Sequence, residues 1–312
     1  MEVSTLGLGA IPCGTGVDEK TPLKIVDRYY EAGGNLIDTS NLYGGGMRGS
    51  NTETAGTSEK TVGKCLKGKR DKFIVASKGY WLMEDEVRPN RVGLSRSYLT
   101  RNIDNSLKRL GTDYIDLYQC HAWDFYTPVE ETMWVLDDFV RAGKIRYIGV
   151  SIWDGWHVVK ANTFSKFSGL TKLVSNQIWY NVADRVTEHS VIPACRDQKV
   201  SILAWGIFAQ GFLTGKYRRG AKSSDAASKF HIMKDSESSL WERLAIEKNW
   251  ATIDVLEKSH GHTAKQWLIL SSSGRFRPVP AMLSYWDFPV RSNLLILSRL
   301  RILTLPPRRC RR

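Results

Sequence analysis

Short apolar runs alternate with longer amphipathic segments along most of the chain, the pattern of strand, loop and helix repeated. Ser4 to Ala10 reads as a strand and Pro22 to Ala32 as a helix, closed by Gly33 and Gly34. The next strand is Asn35 to Asp38, and Ser58 with Glu59 opens a helix running to about Leu66. Further strands are predicted over Lys72–Lys78, Tyr114–His121, Lys144–Ser151, Leu173–Gln177 and Val200–Trp205. The segments between them, Ser97–Leu110, Pro128–Arg141, Gly155–Phe167 and Glu188–Asp197, read as helices. In Ser97–Leu110 the residues Leu99, Ile103, Ser106, Leu107 and Leu110 share one face. Seven strands separated by helices suit right-handed crossovers and an α/β barrel, a (β/α)8 TIM barrel, better than an open sheet.

The length of 312 residues fits that reading, because one such barrel takes about 250 residues. An open doubly wound sheet would announce a dinucleotide with G-x-G-x-x-G after its first strand. Here the position reads Gly7-Leu8-Gly9-Ala10-Ile11-Pro12, and the proline breaks the expected turn.

Charge changes the picture only at one end. The formal net charge is +13, but Gly274–Arg312 holds nine Arg, no Lys and one acid, Asp287, for a net of +8. Residues 1–273 therefore carry +5 (13 less 8), ordinary for an enzyme of anionic nucleotides. No basic run with interleaved aromatics favours nucleic acid, and no apolar run is long enough for a bilayer. Cys13, Cys65, Cys120, Cys195 and Cys310 are scattered and odd in number, without a C-x-x-C pair, so neither a disulfide framework nor a metal site is expected. A cytoplasmic protein is the default expectation.

Candidate chemistry lies at strand ends. The second strand ends on Asp38 and leads into a glycine-rich loop with Tyr43, the third ends on Lys78, and the fourth on His121. Taken singly, each has a plainer explanation: a turn cap, a packed ring, a solvated lysine, a structural histidine. Their joint occurrence at ends that converge on one barrel mouth favours catalysis. A phenol next to an ammonium gives up its proton more readily, and a carboxylate can hold the ammonium charged.

An ordered set of motifs goes further. Gly7-Leu-Gly9, Asn35-Leu-Ile-Asp38-Thr-Ser with Tyr43 and Gly44, Ala76-Ser-Lys78, and Ser106 through His121 resemble the aldo-keto reductase superfamily. So do Ala142-Gly-Lys-Ile-Arg-Tyr-Ile-Gly-Val-Ser151, Ser175-Asn-Gln177-Ile-Trp-Tyr180-Asn, and Ala204-Trp-Gly through Thr214-Gly-Lys216-Tyr. The resemblance implies a barrel that binds NADPH at its C-terminal mouth and reduces a small-molecule aldehyde or ketone. It implies Tyr43 as proton donor to the oxygen on which hydride transfer builds negative charge, with Asp38 and Lys78 behind it and His121 beside it giving that oxygen a second hydrogen bond. It places Ser151 and Gln177 on the nicotinamide carboxamide, and Trp205 against its ring. Gly206, Ile207 and Phe208 would lie under the pyrophosphate and Lys216 on a phosphate, although the family's commoner Ser-Pro-Leu is absent here. Trp81, Trp123, Phe125 and Trp153 suggest a flat or apolar substrate.

Two departures bear on function. The loop Gly44–Thr57 is longer than the family's link, and reads as slack or as a flap beside the substrate. After Gln266 the expected eighth strand and 2′-phosphate grip are replaced by a segment rich in Arg, Ser, Leu and Pro. Residues 1–273 are therefore read as the barrel and 274–312 as an atypical basic tail. The composition points to an altered reading frame or a retained intron, with a divergent tail as the alternative. Val279–Leu283 would be a poor eighth strand, leaving the eighth unit incomplete, and Arg275, Arg277 or Arg291 would have to replace the phosphate grip by charge. Arg291–Leu305 also admits reading as a basic amphipathic segment for a membrane or partner. The alternatives to a reductase are a regulatory barrel similar to potassium-channel β-subunits, which share segments like Gly93-Leu-Ser-Arg96 and Pro128–Thr132, and a remnant enzyme with weakened cofactor binding. The former typically carry asparagine where this chain has His121. Oligomeric state is left open.

Overall fold

A computed structural model describes residues 1–14, 18, 20–44, 54–83, 89–215, 217–220, 238–260 and 281–284. Strand and helix alternate in the order β1 (Leu6–Gly9), α1 (Lys20–Glu31), β2 (Leu36–Asp38), α2 (Thr57–Leu66), β3 (Ile74–Gly79), α3 (Arg96–Leu110), β4 (Ile115–Cys120) and α4 (Val129–Arg141). Then follow β5 (Ile145–Ser151), α5 (Gly155–Ser168), β6 (Leu173–Trp179), α6 (Val191–Asp197), β7 (Ser201–Trp205), α7 (Ser238–Leu244), α8 (Glu247–His260) and β8 (Ala281–Ser284). The eight strands are parallel and close in sequence order into a barrel.

Local chemistry explains several boundaries. Asp18 caps α1 by accepting the backbone N–H groups of Lys20 and Thr21 at 2.8 Å each, so the helix starts ahead of Pro22. At the other end Gly33 takes φ +86° and donates to Tyr30, and Gly34 donates to Tyr29. Ser58 lies in the first turn of α2 as expected but does not cap it. Its hydroxyl donates to the Ala10 carbonyl at 2.6 Å and pairs with Thr39, tying the helix to the barrel mouth. Glu59 is wholly buried, bonded to Ser77 Oγ at 2.5 Å and to Arg109 Nε at 2.6 Å.

Side chains alternate across each strand, so one parity faces the barrel interior. Leu36, Ala76, Leu117 and Leu203 form one apolar cluster there, with Ile74, Tyr147 and Trp205 against it. Two positions onward on the same strands stand Asp38, Lys78, Gln119 and Trp205, which puts a polar layer above an apolar plug. The opposite parity packs under the helices in a larger core that includes Ile37, Val75, Tyr118 and Ile148. A separate cluster joins the end of β7 to α7 and α8 through Phe208, Phe212, Trp241 and Trp250.

The ring is unevenly sewn. β4 pairs β5 at five positions from Ile115↔Ile145 to Cys120↔Val150, and β8 pairs β1 from Leu6↔Ala281 to Gly9↔Ser284. Between β7 and β8 the register records one pair, Ala204↔Ala281. The expected poor eighth strand is thus present in short form. The rest of the basic tail, including Arg275, Arg277 and Arg291, lies outside the described residues, as do 45–53 of the loop after Tyr43. Among the described residues no helix is long and apolar enough to cross a membrane.

The approach of α2 to α3 is close enough to test. A Cβ on Gly63 would stand 2.4 Å from the Leu110 carbonyl oxygen, a backbone atom that cannot swing away. Gly63→Ala should therefore lower stability by about 1–3 kcal/mol, although alanine in a free helix is favoured over glycine by about 1 kcal/mol. Urea unfolding midpoints decide; a variant more stable than wild type contradicts the contact.

Candidate active site

The site is built around one buried cation. Lys78 projects from the interior face of β3, and its side chain is wholly buried. An ammonium has three N–H donors and no acceptor. All three are used: Asp38 Oδ2 at 2.5 Å, the Thr39 carbonyl at 3.0 Å and the Tyr43 hydroxyl at 2.9 Å. Burial opposes the charge, and the Asp38 carboxylate with the Tyr43 oxygen outweighs it, so the ammonium is held above its usual range.

Asp38 ends β2, and its other oxygen, Oδ1, accepts from two carboxamides. Gln119 Nε2 on β4 reaches it at 3.1 Å and Gln177 Nε2 on β6 at 3.0 Å. Residues from four strands thus meet on Asp38 and Lys78, which fixes the polar layer across the barrel.

Tyr43 lies beyond Asp38, its backbone carbonyl held by the N–H of Ser58 at 3.2 Å. Because Lys78 can only donate, the phenol oxygen accepts from it and keeps its own proton, for which no acceptor is found among the described residues. Burial raises the phenol's pKa, the Lys78 charge opposes this, and Asp38 adds to it; the net direction is up. Lys78 thus eases phenolate formation as expected, without making Tyr43 an unusually acidic phenol.

His121 follows directly after β4. Its ring lies edge-on to Tyr43, centroids 5.8 Å apart, and 6.3 Å from Trp81. Nδ1 stands 3.1 Å from Ser40 Oγ, and Nε2 has no partner among the described residues. Burial and then the Lys78 charge push its pKa well below the usual value, so the imidazole is neutral near pH 7.

The Aldo/keto reductase family model matches residues 5–269. The chain belongs to the aldo/keto reductase family. An uncharacterized oxidoreductase, YrpG, of Bacillus subtilis is 36% identical over 274 residues, spanning 86% of this chain and 80% of that protein. Norsolorinic acid reductase B of Dothistroma septosporum is 34% identical, over 82% of this chain and 67% of its own length. The aryl-alcohol dehydrogenase [NADP(+)] of Phanerodontia chrysosporium is 32% identical over 68% of this chain and 57% of its own. The chain is therefore an oxidoreductase of a family that acts on carbonyl groups with nicotinamide cofactors.

Other residues of this aldo/keto reductase fall in several places. Ser151 ends β5 and Gln177 is paired beside it in register. Ser151 Oγ donates to the Gln177 carbonyl at 3.1 Å and keeps lone pairs, and Gln177 Oε1 takes no bond among the described residues. Both can accept from a carboxamide NH2, which fits a nicotinamide. Trp205 ends β7, partly exposed, with Trp179 edge-on at 4.9 Å. Gly206 takes φ +67°, and a Cβ there would lie 2.3 Å from the Trp179 ring, so the position requires glycine. Ile207 and Phe208 bury their side chains in the core beside β7, so they can offer only backbone to a phosphate. Lys216 lies outside the described residues.

The four aromatics read as suggesting a flat or apolar substrate do not all stand at the site. Trp153 is 1% exposed and belongs to the core, where Trp123 packs edge-on at 4.7 Å. Trp123 stacks on His157 at 3.8 Å, and Phe125 is 81% exposed. Of the four, Trp81 is the one with a recorded ring contact to the residues around Lys78, through His121. Conversely, the sequence reading passed over Gln119, Thr39 and Ser40. The alternation Leu117–Gln119 on a strand ending at His121 was a usable signal for Gln119, because it sets an amide on the interior face.

His121 gives a pH test. In the unfolded chain it protonates around 6.5, whereas the fold keeps it neutral, so its contribution is present above pH 6.5 and lost as pH falls. His157, also lowered by burial, acts in the same direction. One such histidine gives a slope of about 1.4 kcal/mol per pH unit below 6.5. His121→Gln should reduce the acid slope of unfolding free energy by about that amount; an unchanged slope contradicts the buried neutral imidazole.

Proposed function

We propose that the chain reduces an aldehyde or ketone to an alcohol with NADPH, and that Tyr43 gives the proton. The observation that carries this is the Tyr43 hydroxyl, which accepts from Lys78 at 2.9 Å and so directs its own proton away from the lysine. A bound reduced nicotinamide supplies hydride to the carbonyl carbon. As charge builds on the oxygen, Tyr43 transfers its proton to it, and the ammonium of Lys78 stabilises the phenolate left behind. Asp38, held by Gln119 and Gln177, keeps Lys78 aimed and charged. Ser151 and Gln177 would hold the nicotinamide carboxamide, Trp205 would face the ring, and the backbone at Gly206–Phe208 would pass under the pyrophosphate.

Two features support an aromatic carbonyl compound as substrate. Trp81 offers a flat apolar surface beside His121. Relatives bear the names norsolorinic acid reductase and aryl-alcohol dehydrogenase [NADP(+)]. The latter name is also the support for NADPH over NADH.

The test is NADPH consumption with an aromatic aldehyde. Loss of a general acid lowers the rate by about 10²–10⁴-fold, so Tyr43→Phe should reduce kcat by that factor while cofactor binding, followed by nicotinamide fluorescence, stays near wild type. Equal rates in the two proteins would remove Tyr43 from its role.

A further inference from the structure

The hydroxyl of Ser40 is shared between two side chains. His121 Nδ1 lies 3.1 Å from it and Asn41 Oδ1 3.2 Å, and the backbone N–H of Leu42 donates to the same oxygen at 3.2 Å. Ser40 and Asn41 are both wholly buried. A hydroxyl has one proton to give and two lone pairs to receive. The hydrogen-bond count therefore decides what His121 must be.

The orientation of Asn41 follows from its far side. Its Nδ2 donates to the Tyr98 hydroxyl at 3.2 Å, Asn102 Nδ2 donates to the same oxygen at 3.0 Å, and Tyr98 gives its proton to the Trp81 carbonyl. Turning the Asn41 amide over would set its oxygen against a hydroxyl with no proton left. Oδ1 must therefore face Ser40, which is its one donor among the described residues. A buried carbonyl oxygen left without a donor is penalised by about 1–3 kcal/mol. If Ser40 gives its proton to Asn41, one lone pair takes Leu42 and the other faces Nδ1. That nitrogen must then carry hydrogen. A neutral imidazole has one N–H, so Nε2 keeps a lone pair toward the mouth.

We propose that Ser40 and Asn41 hold His121 of the ligand-free chain as its Nδ1–H tautomer, making the resting pair of Tyr43 and His121 complementary to the hydroxyl of an alcohol rather than to a carbonyl oxygen. The ligand assignment rests on the function proposed above. An alcohol oxygen accepts the Tyr43 proton and gives its own hydrogen to Nε2. A carbonyl oxygen has no hydrogen to give and meets a lone pair. To receive a carbonyl compound the imidazole must change tautomer, which takes the Ser40 proton from Asn41. His121 is thus an acceptor in the resting site, where the sequence suggested a donor. Ser40 and Asn41 are positioning residues.

The measurement is two-bond 1H–15N correlation on the full chain labelled with 15N-histidine, without cofactor or substrate, at neutral pH. The His121 signals are identified by their loss in His121→Gln. The wild type should show the hydrogen on Nδ1, and Ser40→Thr, which keeps the hydroxyl, should retain it. Asn41→Leu frees the Ser40 proton for Nδ1 and should move the hydrogen to Nε2; Ser40→Ala should shift the population the same way. Hydrogen on Nε2 in the wild type overturns the proposal, as does an Nδ1–H signal unmoved in Asn41→Leu. If Ser40→Ala fails to fold, the wild type and Asn41→Leu still decide. Because the readout needs no turnover, an inactive chain with the Nδ1–H signal would contradict the proposed reaction and leave the tautomer established.

Discussion

A lysine ammonium cannot stand at the centre of a barrel unless every one of its protons is met, and the architecture of this mouth follows from that demand. Taking a charge out of water costs several kcal/mol; at Lys78 this is offset by the Asp38 carboxylate, the Thr39 carbonyl and the Tyr43 oxygen. The carboxylate is itself buried and needs partners, which arrive as Gln119 and Gln177 from strands on other sides of the ring. Breaking such a buried pair from one side typically costs about 3–5 kcal/mol, so the groups arranged for chemistry also join β2, β3, β4 and β6. The candidate site and the cross-strand ties of the barrel share the same atoms.

The polar layer is possible because the layer below it is not polar. Leu36, Ala76, Leu117 and Leu203 fill the barrel beneath Asp38, Lys78 and Gln119, shielding the ion pair from the bottom of the ring. Shielding raises the pKa of Tyr43 and lowers that of His121, so both groups are neutral near pH 7 and the ammonium is the one cation among them. The reaction proposed above requires a phenol that still holds its proton when hydride arrives, and a neutral Tyr43 meets that requirement. The seam at Ala204↔Ala281 lies one residue before Trp205, on β7 rather than on β2 or β3, which carry the ion pair.

Much of this was legible in the chain because strand periodicity and strand ends are local properties. Asp38, Lys78 and His121 each terminate an apolar run, and their convergence follows from the barrel. Element edges shifted for two reasons: Asp18 caps and so extends α1 locally, while Ser58 bonds to Ala10, 48 positions away, rather than capping its helix. Trp153 misled because an aromatic residue after a strand reads alike whether it turns to the mouth or the core, and Val150, Val158 and His157 decide that only in three dimensions. Gln119 and Ser40 were missed for another reason. Alternation with Leu117 sets Gln119 on the interior face, but its bond to Asp38, like that of Ser40 to His121, spans 81 positions, and no local pattern carries those pairings.

Everything at this mouth turns on Lys78 being charged and on Tyr43 being a protonated phenol whose own hydrogen is available there. The most direct test is titration of the Tyr43 Cζ resonance in chain labelled with 13C-tyrosine, assigned against Tyr43→Phe. Tyr43 should remain a phenol at pH 10.0, the ordinary midpoint, and ionise only above it. Ionisation of Tyr43 below that value would show that the lysine charge outweighs burial, and would overturn the protonated phenol.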